Sequence, residues 1–293
     1  MGQKPVSAIV KKIESMPTLP TVTFQVMEIT ADSNSSANDL VKIISPDVSL
    51  TAKILKIANS PLYGLTREIS SLQHALTVLG FKEIRNLVIS TAAVENFKDI
   101  EQDGKFDIKG FWKHSFCCGL AAKIIATSFM NKGNELFVAG LLHDIGKLVI
   151  YIAFPDEFIK QQEAMSSMKL KYLSFSAEKN FFALSHDEVG MKLLQRWMFP
   201  EDLIAAVGFH HQPQFAFGDH LYPIVVHAAD ILSHIYEVQA EEGDSLEVEP
   251  FYNDVVKLSQ LYEINWNMSD ISKFQQSLAE SMEKEADTMK LFF

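Results

Sequence analysis

Apolar residues recur three and four positions apart through nearly every segment of this chain, and no segment shows the regular alternation of a β-strand. A spacing of three and four places side chains on one face of an α-helix, whereas alternation places them on one face of a strand. A chain with the helical pattern throughout buries its apolar faces by packing helix against helix. The sequence therefore predicts an all-α fold.

Helix boundaries in the first third of the chain are marked by Pro, Gly and clusters of small polar residues. The predicted helices carry their apolar residues at positions 9–16, 22–29, 50–57, 72–79 and 84–94. Between them lie Pro17 and Pro20, residues 32–36, Asn59-Ser60-Pro61 and Gly80. Ser70 or Ser71 is expected to cap the fourth of these helices, since a serine hydroxyl can accept a hydrogen bond from a free N–H of the first turn.

The length of 293 residues and the apolar content of 47% suffice for one large domain or two smaller ones. A polar stretch at residues 98–109, centred on Asp103-Gly104-Lys105, predicts a boundary. We expect an N-terminal helical subdomain at residues 1–100, packed on a helical bundle at residues 101–240. The acidic loop Glu241-Glu242-Gly243-Asp244 leads to closing helices, and residues 241–293 are expected to pack on that bundle.

The net charge of −11 argues against a protein that coats nucleic acid, because non-specific binding depends on Lys and Arg that neutralise phosphates. Local DNA binding is one alternative, since two helices joined at Gly80, with Lys82 and Arg85 nearby, loosely match a helix-turn-helix. Apolar residues of the N-terminal half could also form a docking surface for a partner helix. A covered core is the favoured interpretation of those residues.

No membrane span or secretion signal is expected. The N-terminus, Met1-Gly2-Gln3-Lys4-Pro5, has no apolar run after its charge. The most apolar stretch, residues 136–154, is interrupted by a histidine and two charged residues. The two cysteines, Cys117 and Cys118, are adjacent, which on a helix is typical of buried packing. We therefore expect a soluble protein of the reducing cytoplasm.

Seven residues in the second half of the chain are of the types that bind transition metals. They are His114, His143, Asp144, His186, His210, His211 and Asp230. Helical bundles commonly hold one or two divalent metals with imidazole and carboxylate groups on facing helices. Taken alone, each histidine is more typical of a buried residue with an ordinary hydrogen bond. A buried His-Asp hydrogen bond without metal is the alternative for the pair at residues 143–144.

Residues 136–150 are predicted as one helix that carries this central pair. On it Lys147 follows His143 by four positions and Asp144 by three, so the three polar tips can meet on one side. Polar neighbours set between apolar residues are costly in a core unless they are paired or coordinated. Gly140 and Gly146 would allow another helix to approach closely.

The order of the seven candidate ligands along the chain resembles the pattern of the HD superfamily of metal-dependent phosphohydrolases. The resemblance is carried by His114 in Trp-Lys-His-Ser, His143-Asp144-Ile145-Gly146-Lys147, His186, His210-His211 and Ala229-Asp230. The first half narrows it to HDOD proteins, the HD-related output domain of bacterial signalling. The motifs there are Met16-Pro17-Thr18-Leu19-Pro20, Pro46-Asp47-Val48-Ser49-Leu50, Asn59-Ser60-Pro61-Leu62-Tyr63-Gly64 and Ala75-Leu76-Thr77-Val78-Leu79-Gly80.

The HDOD resemblance implies an N-terminal helical subdomain packed on an HD-like helical bundle, and a regulatory output role exerted through a signalling protein partner. It also implies that the minimal HD ligand set is intact, with three further histidines for a second metal. The match to HD-GYP cyclic-di-GMP phosphodiesterases is partial. Gln212 stands where that branch has Glu, and no Gly-Tyr-Pro tripeptide follows.

If metal binds, Asp144 would bridge two ions and Lys147 would hold a phosphate oxygen or the charge that develops on it. The mixed nitrogen and oxygen donors suit Fe, Mn, Zn, Ni or Co. The alternative to a regulatory protein with a retained metal site is an active metal-dependent phosphohydrolase. Its ligand would be a phosphate ester or a nucleotide.

Overall fold

The computed structural model describes residues 6–98, 100, 105–129, 133–165, 175–218, 220–242 and 249–292. Within these residues every regular element is a helix, so the predicted all-α fold class is confirmed. The α-helices are α1 Val6–Ser15, α2 Thr21–Ala31, α3 Ala37–Ile44, α4 Val48–Ala58, α5 Leu72–Leu79, α6 Phe81–Glu95, α7 Ile108–Phe129, α8 Gly133–Leu142, α9 Ile145–Ala153, α10 Pro155–Met165, α11 Phe175–Phe182, α12 His186–Arg196, α13 Glu201–Phe209, α14 Leu221–Glu242, α15 Glu249–Leu261, α16 Met268–Lys284 and α17 Ala286–Phe292. Short 3-10 helices lie at Pro61–Tyr63 and Pro213–Phe215.

The packing of the chain divides it into two compact units. The first contains Met1–Met16 and Ile100–Glu280, and the second contains Pro17–Asp99 and Ser281–Phe293. Helix α1 therefore belongs with the helices that follow residue 100, and α17 belongs with α2 to α6. The domain division at residues 100 and 240 stays a prediction. The predicted boundary residues Asp103-Gly104 and Gly243-Asp244 lie outside the described residues, as does the N-terminal segment 1–5.

The centre of the first unit is built around α7, which packs against α8 and α14, while α9 packs against α12. Two glycines allow these close approaches. A Cβ on Gly140 would lie 2.6 Å from the carbonyl oxygen of Cys118, so α8 contacts the backbone of α7. A Cβ on Gly146 would lie 1.9 Å from the carbonyl oxygen of His186, so α9 lies directly against the start of α12. The close approach predicted at both glycines is confirmed.

The predicted single helix over residues 136–150 is wrong, because the chain turns at His143 and Asp144 between α8 and α9. Nδ1 of His143 donates to the carbonyl oxygen of Gly140 at 2.7 Å. This side chain therefore competes for the acceptor that a continuous helix offers to the N–H of Asp144. Adjacent residues on a helix point about 100° apart, so the turn is what allows His143 and Asp144 to face one pocket.

Residues Gly133–Ala153 form the one stretch of the described chain that is long and apolar enough to cross a membrane. Of its most apolar 18 residues, 83% are buried inside the fold. Core helices of globular proteins meet the same criterion, and this stretch is interrupted by the turn between α8 and α9. The finding is consistent with a chain that does not span a membrane.

Cys117 and Cys118 lie on α7, where both are fully buried and free of disulfides. Burial raises the pKa of both thiols, which keeps them protonated. The predicted role in packing is confirmed for both cysteines.

In the second unit, the boundaries of α5 agree with the sequence. The hydroxyl of Ser71 accepts a hydrogen bond from the N–H of His74, and α5 ends at Gly80 with a φ of +84°. Helix α3 is not predicted from the sequence, although it begins with a capping box in which Ser36 and Asp39 bond to each other's backbone N–H. The polar residues before it resemble a loop, and the helix itself is only eight residues long.

The helix pair at Gly80 lacks a free recognition surface. Lys82 is exposed and Arg85 is half-buried, but nearly all of α6 beyond them is buried, including Ile84 and Asn86. A recognition helix has to present a continuous face to the major groove. The burial of α6 therefore favours packing over DNA binding.

Candidate metal centre

The seven predicted ligands and Lys147 lie together in the first unit. His114 is in α7, His143 and Asp144 are in the turn between α8 and α9, His186 begins α12, His210 and His211 follow α13, and Asp230 is in α14. His143 and His210 have no exposed surface, and His186, Asp144 and Asp230 are at most 2% exposed. Ionisable groups buried to this extent have to be paired or coordinated.

The first group of donors surrounds Asp230. Its Oδ1 lies 3.2 Å from Nε2 of His114 and 3.5 Å from Nε2 of His143. Oδ2 of Asp144 lies 3.4 Å from Nε2 of His143 and 3.9 Å from Nε2 of His114. His114, His143 and Asp144 are close enough together to hold a cation, and Asp230 lies beside both imidazoles.

The second group consists of three imidazoles, of which His186 lies beside the other oxygen of Asp144. Nε2 of His186 lies 3.0 Å from Oδ1 of Asp144 and 3.0 Å from Nε2 of His211. Nε2 of His210 lies 3.4 Å from Nε2 of His186. Asp144 therefore lies between the two groups and offers one oxygen to each.

Hydrogen bonds to the outer ring nitrogens direct the inner ones into the cluster. Nδ1 of His143 donates to the carbonyl oxygen of Gly140 at 2.7 Å, and Nδ1 of His210 donates to the carbonyl oxygen of Val207 at 2.8 Å. A neutral imidazole has one N–H, so the lone pairs of these two rings are at Nε2. In both rings the lone pair at Nε2 therefore points into the cluster. A cation there could bind these lone pairs together with the neighbouring carboxylate oxygens.

Two carboxylates that sequence reasoning missed orient these histidines, the buried Glu178 and the partly exposed Glu237. Oε2 of Glu178 accepts from Nδ1 and from the backbone N–H of His186, both at 2.7 Å. Oε1 of Glu237 lies 3.1 Å from Nδ1 of His114. Such outer carboxylates set the orientation and raise the basicity of metal-binding histidines. Glu237 follows Asp230 by seven residues, a helical spacing that is visible in the sequence, whereas Glu178 has no such signal.

His234 is a third residue that the predicted site omits. It lies on α14, four residues after Asp230, and its Nε2 is 3.3 Å from Oδ1 of Asp230. A spacing of four residues puts both side chains on one face of a helix, so the pattern Asp-x-x-x-His could have indicated it.

The acids of the cluster favour protonation of two histidines when no metal is bound. Burial lowers the pKa of His186, but the Glu178 and Asp144 carboxylates outweigh it and raise that pKa to about 10. Burial likewise lowers the pKa of His114, and Glu237 is the principal acid that raises it to about 10.

The central carboxylates stay ionised. Burial raises the pKa of Asp144, but the neighbouring His143 and Lys147 hold that pKa well below its usual range. Nζ of Lys147 lies 2.5 Å from Oδ2 of Asp144. Burial also raises the pKa of Asp230, and the adjacent histidines lower it well below its usual range. The ionised carboxylates of Asp144 and Asp230 are thus stabilised by the positive charge of the groups around them.

A cavity of about 480 Å³ opens beside the first group. Its walls include the site residues His114, Asp144, Lys147, His234 and Glu237. The remaining wall is formed by Lys105, Phe106, Asp107, Gly110, Phe111, Lys113, Phe158, Ile159, Gln162 and Ala240. A volume of this size falls within the range of small-molecule sites.

The profile of the HDOD domain family matches residues 16–213. A solved structure of a candidate phosphohydrolase from Shewanella amazonensis SB2B has a TM-score of 0.75 and 21% identity, covering 98% of each chain. An HDOD domain protein of unknown function from Geobacter sulfurreducens has a TM-score of 0.68 and 23% identity, covering 97% of this chain and 95% of that one. A candidate signal transduction protein from Marinobacter aquaeolei VT8 has a TM-score of 0.71 and 18% identity, covering 98% of this chain and 65% of that one. These identities show a shared fold alone.

A curated relative, an uncharacterized protein from Treponema pallidum (strain Nichols), is 25% identical over 207 residues. The match covers 70% of this chain and 39% of the relative, so this chain spans less than half of that protein's length.

Proposed function

The chain belongs to the HDOD family, and on that premise we propose that it is a regulatory output protein of bacterial signalling with a retained HD-type metal site. Its output is contact with a signalling protein partner in the cytoplasm. The names of similar structures, a signal transduction protein among them, support the signalling context. The buried free thiols of the cysteine pair agree with a reducing compartment.

The observation that carries the proposal is a set of buried donor atoms that lie close together. Nε2 of His114, Nε2 of His143 and Oδ1 of Asp230 are buried and have no hydrogen-bond partner. Buried polar atoms in folded proteins nearly always have a partner. A divalent cation would satisfy all three atoms at once, so the donor set fits a metal.

Two ions would be held by two overlapping sets of residues. His114, His143, Asp144 and Asp230 form the first set, and Asp144, His186, His210 and His211 form the second. Asp144 belongs to both and would bridge the ions. Nitrogen and oxygen donors in this mixture suit Fe, Mn, Zn, Ni or Co. Such an ion supplies Lewis acidity towards a phosphate oxygen.

The positions of the proposed ligands indicate that the metal would stabilise the fold. They come from α7, α12, α14 and two turns, so bound ions would connect most of the helices at the centre of the first unit. A metal that binds only the folded state stabilises that state. A stabilised fold offers a partner protein one defined surface to recognise. The departures from the HD-GYP pattern at and after Gln212 also weigh against cyclic-dinucleotide hydrolysis.

A metal-dependent phosphohydrolase is the second candidate function, and the cavity beside the first group of donors favours it. Lys147 lines this cavity together with Lys105 and Lys113, so the wall presents ammonium groups to an anionic ligand. The same wall also carries the carboxylates Asp107, Asp144 and Glu237. Phe106 and Phe158 offer apolar wall. A phosphate ester or a nucleotide is the class of ligand that this wall would accept. Lys147 would hold a phosphate oxygen beside Asp144.

Metal analysis of the purified full chain tests the proposal. We expect one or two transition-metal ions per chain in the wild type and their loss in His143→Ala. His74→Ala, which changes a histidine of the second unit, is the matched control and should keep the metal. A folded wild-type protein without stoichiometric metal would contradict the proposal.

Turnover assays then separate the two candidate functions. Bis-p-nitrophenyl phosphate and a nucleotide panel are offered to the metal-loaded protein. Bound metal without turnover supports the regulatory role, whereas turnover that is lost in Lys147→Ala supports the phosphohydrolase.

Metal affinity should rise with pH. The pKa values of His186 and His114 are about 10 without metal, so both rings are protonated at neutral pH, and a metal binds only the deprotonated nitrogen. We expect the apparent affinity to rise about tenfold per pH unit for each proton released between about pH 6 and pH 9. Calorimetric titration in buffers with different ionisation enthalpies counts these protons. An affinity independent of pH in this window would contradict the assignment of both rings as ligands.

A further inference from the structure

Helix α14 presents a second histidine to the first group of donors. Nε2 of His234 lies 3.3 Å from Oδ1 of Asp230, and Nε2 of His114 lies 3.2 Å from the same oxygen. The two imidazole rings are stacked, with centroids 4.4 Å apart and planes inclined by 26°. Two stacked rings therefore direct the same type of nitrogen to one carboxylate oxygen.

One carboxylate faces the outer nitrogens of both rings. Oxygens of Glu237 lie 3.1 Å from Nδ1 of His114 and 3.6 Å from Nδ1 of His234. An ionised carboxylate only accepts hydrogen bonds, so it favours a proton at each Nδ1. Each neutral ring then has its lone pair at Nε2, on the side of Asp230.

Burial makes this arrangement depend on a positive charge. His114 and His234 are each 8% exposed, and Asp230 is 2% exposed. Two nitrogen lone pairs that face one buried carboxylate oxygen repel it unless a proton or a cation lies between them. The arrangement around His114 is repeated at His234, with the same inner oxygen and the same outer carboxylate.

We propose that His234 is a further metal ligand, donating through Nε2 to the ion that His114, His143, Asp144 and Asp230 hold, and that Glu237 is the positioning residue of both His114 and His234. This inference rests on the proposed metal site and specifies its coordination. Neither the HD pattern of the sequence nor the predicted ligand set includes His234.

The added ligand makes the two ions unequal. The first ion has five protein donors with His234, whereas the second has Asp144 and three histidines. The first set also has two carboxylates where the second has one, and a higher negative charge of the ligands favours cation binding. The first ion therefore binds more tightly than the second.

Titration of the metal-free full chain with Co²⁺ tests this inference. The variants are His234→Gln, which removes the imidazole but keeps a polar side chain, Glu237→Gln, which keeps the shape of the carboxylate, and the control His74→Ala. Calorimetry gives the affinity of each step, and the visible absorption of bound Co²⁺ reports its coordination. Circular dichroism establishes that each variant is folded.

We expect His234→Gln to weaken the tighter step about 100-fold and to change the visible absorption of that ion, while the weaker step keeps its affinity. Glu237→Gln should weaken the tighter step about 10-fold, and His74→Ala should change neither step. A folded His234→Gln variant with wild-type affinity and absorption overturns the inference. If that variant does not fold, Glu237→Gln decides the question, and wild-type binding by it overturns the inference.

Failure of the inference is distinct from failure of the proposed function. A wild-type chain that binds no Co²⁺ contradicts the metal site itself. Binding by the wild type that His234→Gln and Glu237→Gln leave unchanged contradicts only the role of His234.

Discussion

Replacement of Asp144 by asparagine is expected to remove both metal ions at once and to lower the free energy of unfolding by about 3–5 kcal/mol in metal-free buffer. Asp144 gives Oδ1 to His186 at 3.0 Å and Oδ2 to Lys147 at 2.5 Å. His143 lies 3.4 Å from Oδ2. Both oxygens of Asp144 are therefore in use, Oδ2 towards the first group of donors and Oδ1 towards the second.

The loss of stability has a separate cause from the loss of metal. An asparagine cannot neutralise the largely buried Lys147 ammonium, and it leaves the protonated imidazole of His186 with Glu178 as its carboxylate partner. A buried charge that loses its partner is costly. Urea denaturation in the presence of a chelator measures this contribution without the stabilisation that bound metal provides. Elemental analysis of the untreated proteins measures the metal.

Asp156→Asn is the matched control for Asp144→Asn. Asp156 lies in the same unit, its side chain is 72% exposed, and it pairs with the exposed Lys105 at 3.5 Å. Exposed pairs contribute little, so we expect a change within about 0.5 kcal/mol and wild-type metal content. A folded Asp144→Asn variant that keeps a full complement of metal would refute the assignment of Asp144 as the shared ligand.

Gly146→Ala is expected to lower the free energy of unfolding by about 3 kcal/mol. The variant should stay folded but lose the second ion. The new Cβ would lie 1.9 Å from the carbonyl oxygen of His186 and 2.6 Å from the backbone nitrogen of Gly190. Both atoms belong to backbone, so no side-chain rotation relieves the clash and α9 has to move away from α12. That movement lengthens the contact of 3.0 Å between Asp144 and His186.

Gly110→Ala is the control for a glycine-to-alanine change in a helix of the same unit. Its Cβ would meet only the side chain of Asp107, which can rotate. That rotation loses the hydrogen bond that the N–H of Gly110 donates to Oδ1 of Asp107 at 2.8 Å. Loss of such a capping bond lowers stability by about 1 kcal/mol, and the higher helix propensity of alanine raises it by about the same amount. We expect stability close to that of the wild type.

Equal metal content and stability in Gly146→Ala and Gly110→Ala would contradict the close packing of α9 on α12.

Most of the fold can be predicted from local patterns. The spacing of apolar residues indicates α1, α2, α4, α5 and α6, and the cap at Ser71 and the stop at Gly80 follow from residue type. The short helix α3 is missed because the polar residues that cap it resemble a loop. The turn at His143 is missed because periodicity cannot show that a side chain bonds to the carbonyl oxygen of Gly140.

The sequence by itself determined the residue types of the candidate metal centre and the helical class of the fold, since both depend on local chemistry and local periodicity. Only the tertiary structure decided that His114 and Asp230 lie 3.2 Å apart and that Asp144 lies between two groups of donors. It also decided which carboxylates orient the histidines, as Glu178 does for His186. Such contacts join residues of different helices, and their distances depend on how those helices pack, which no pattern along a single helix specifies.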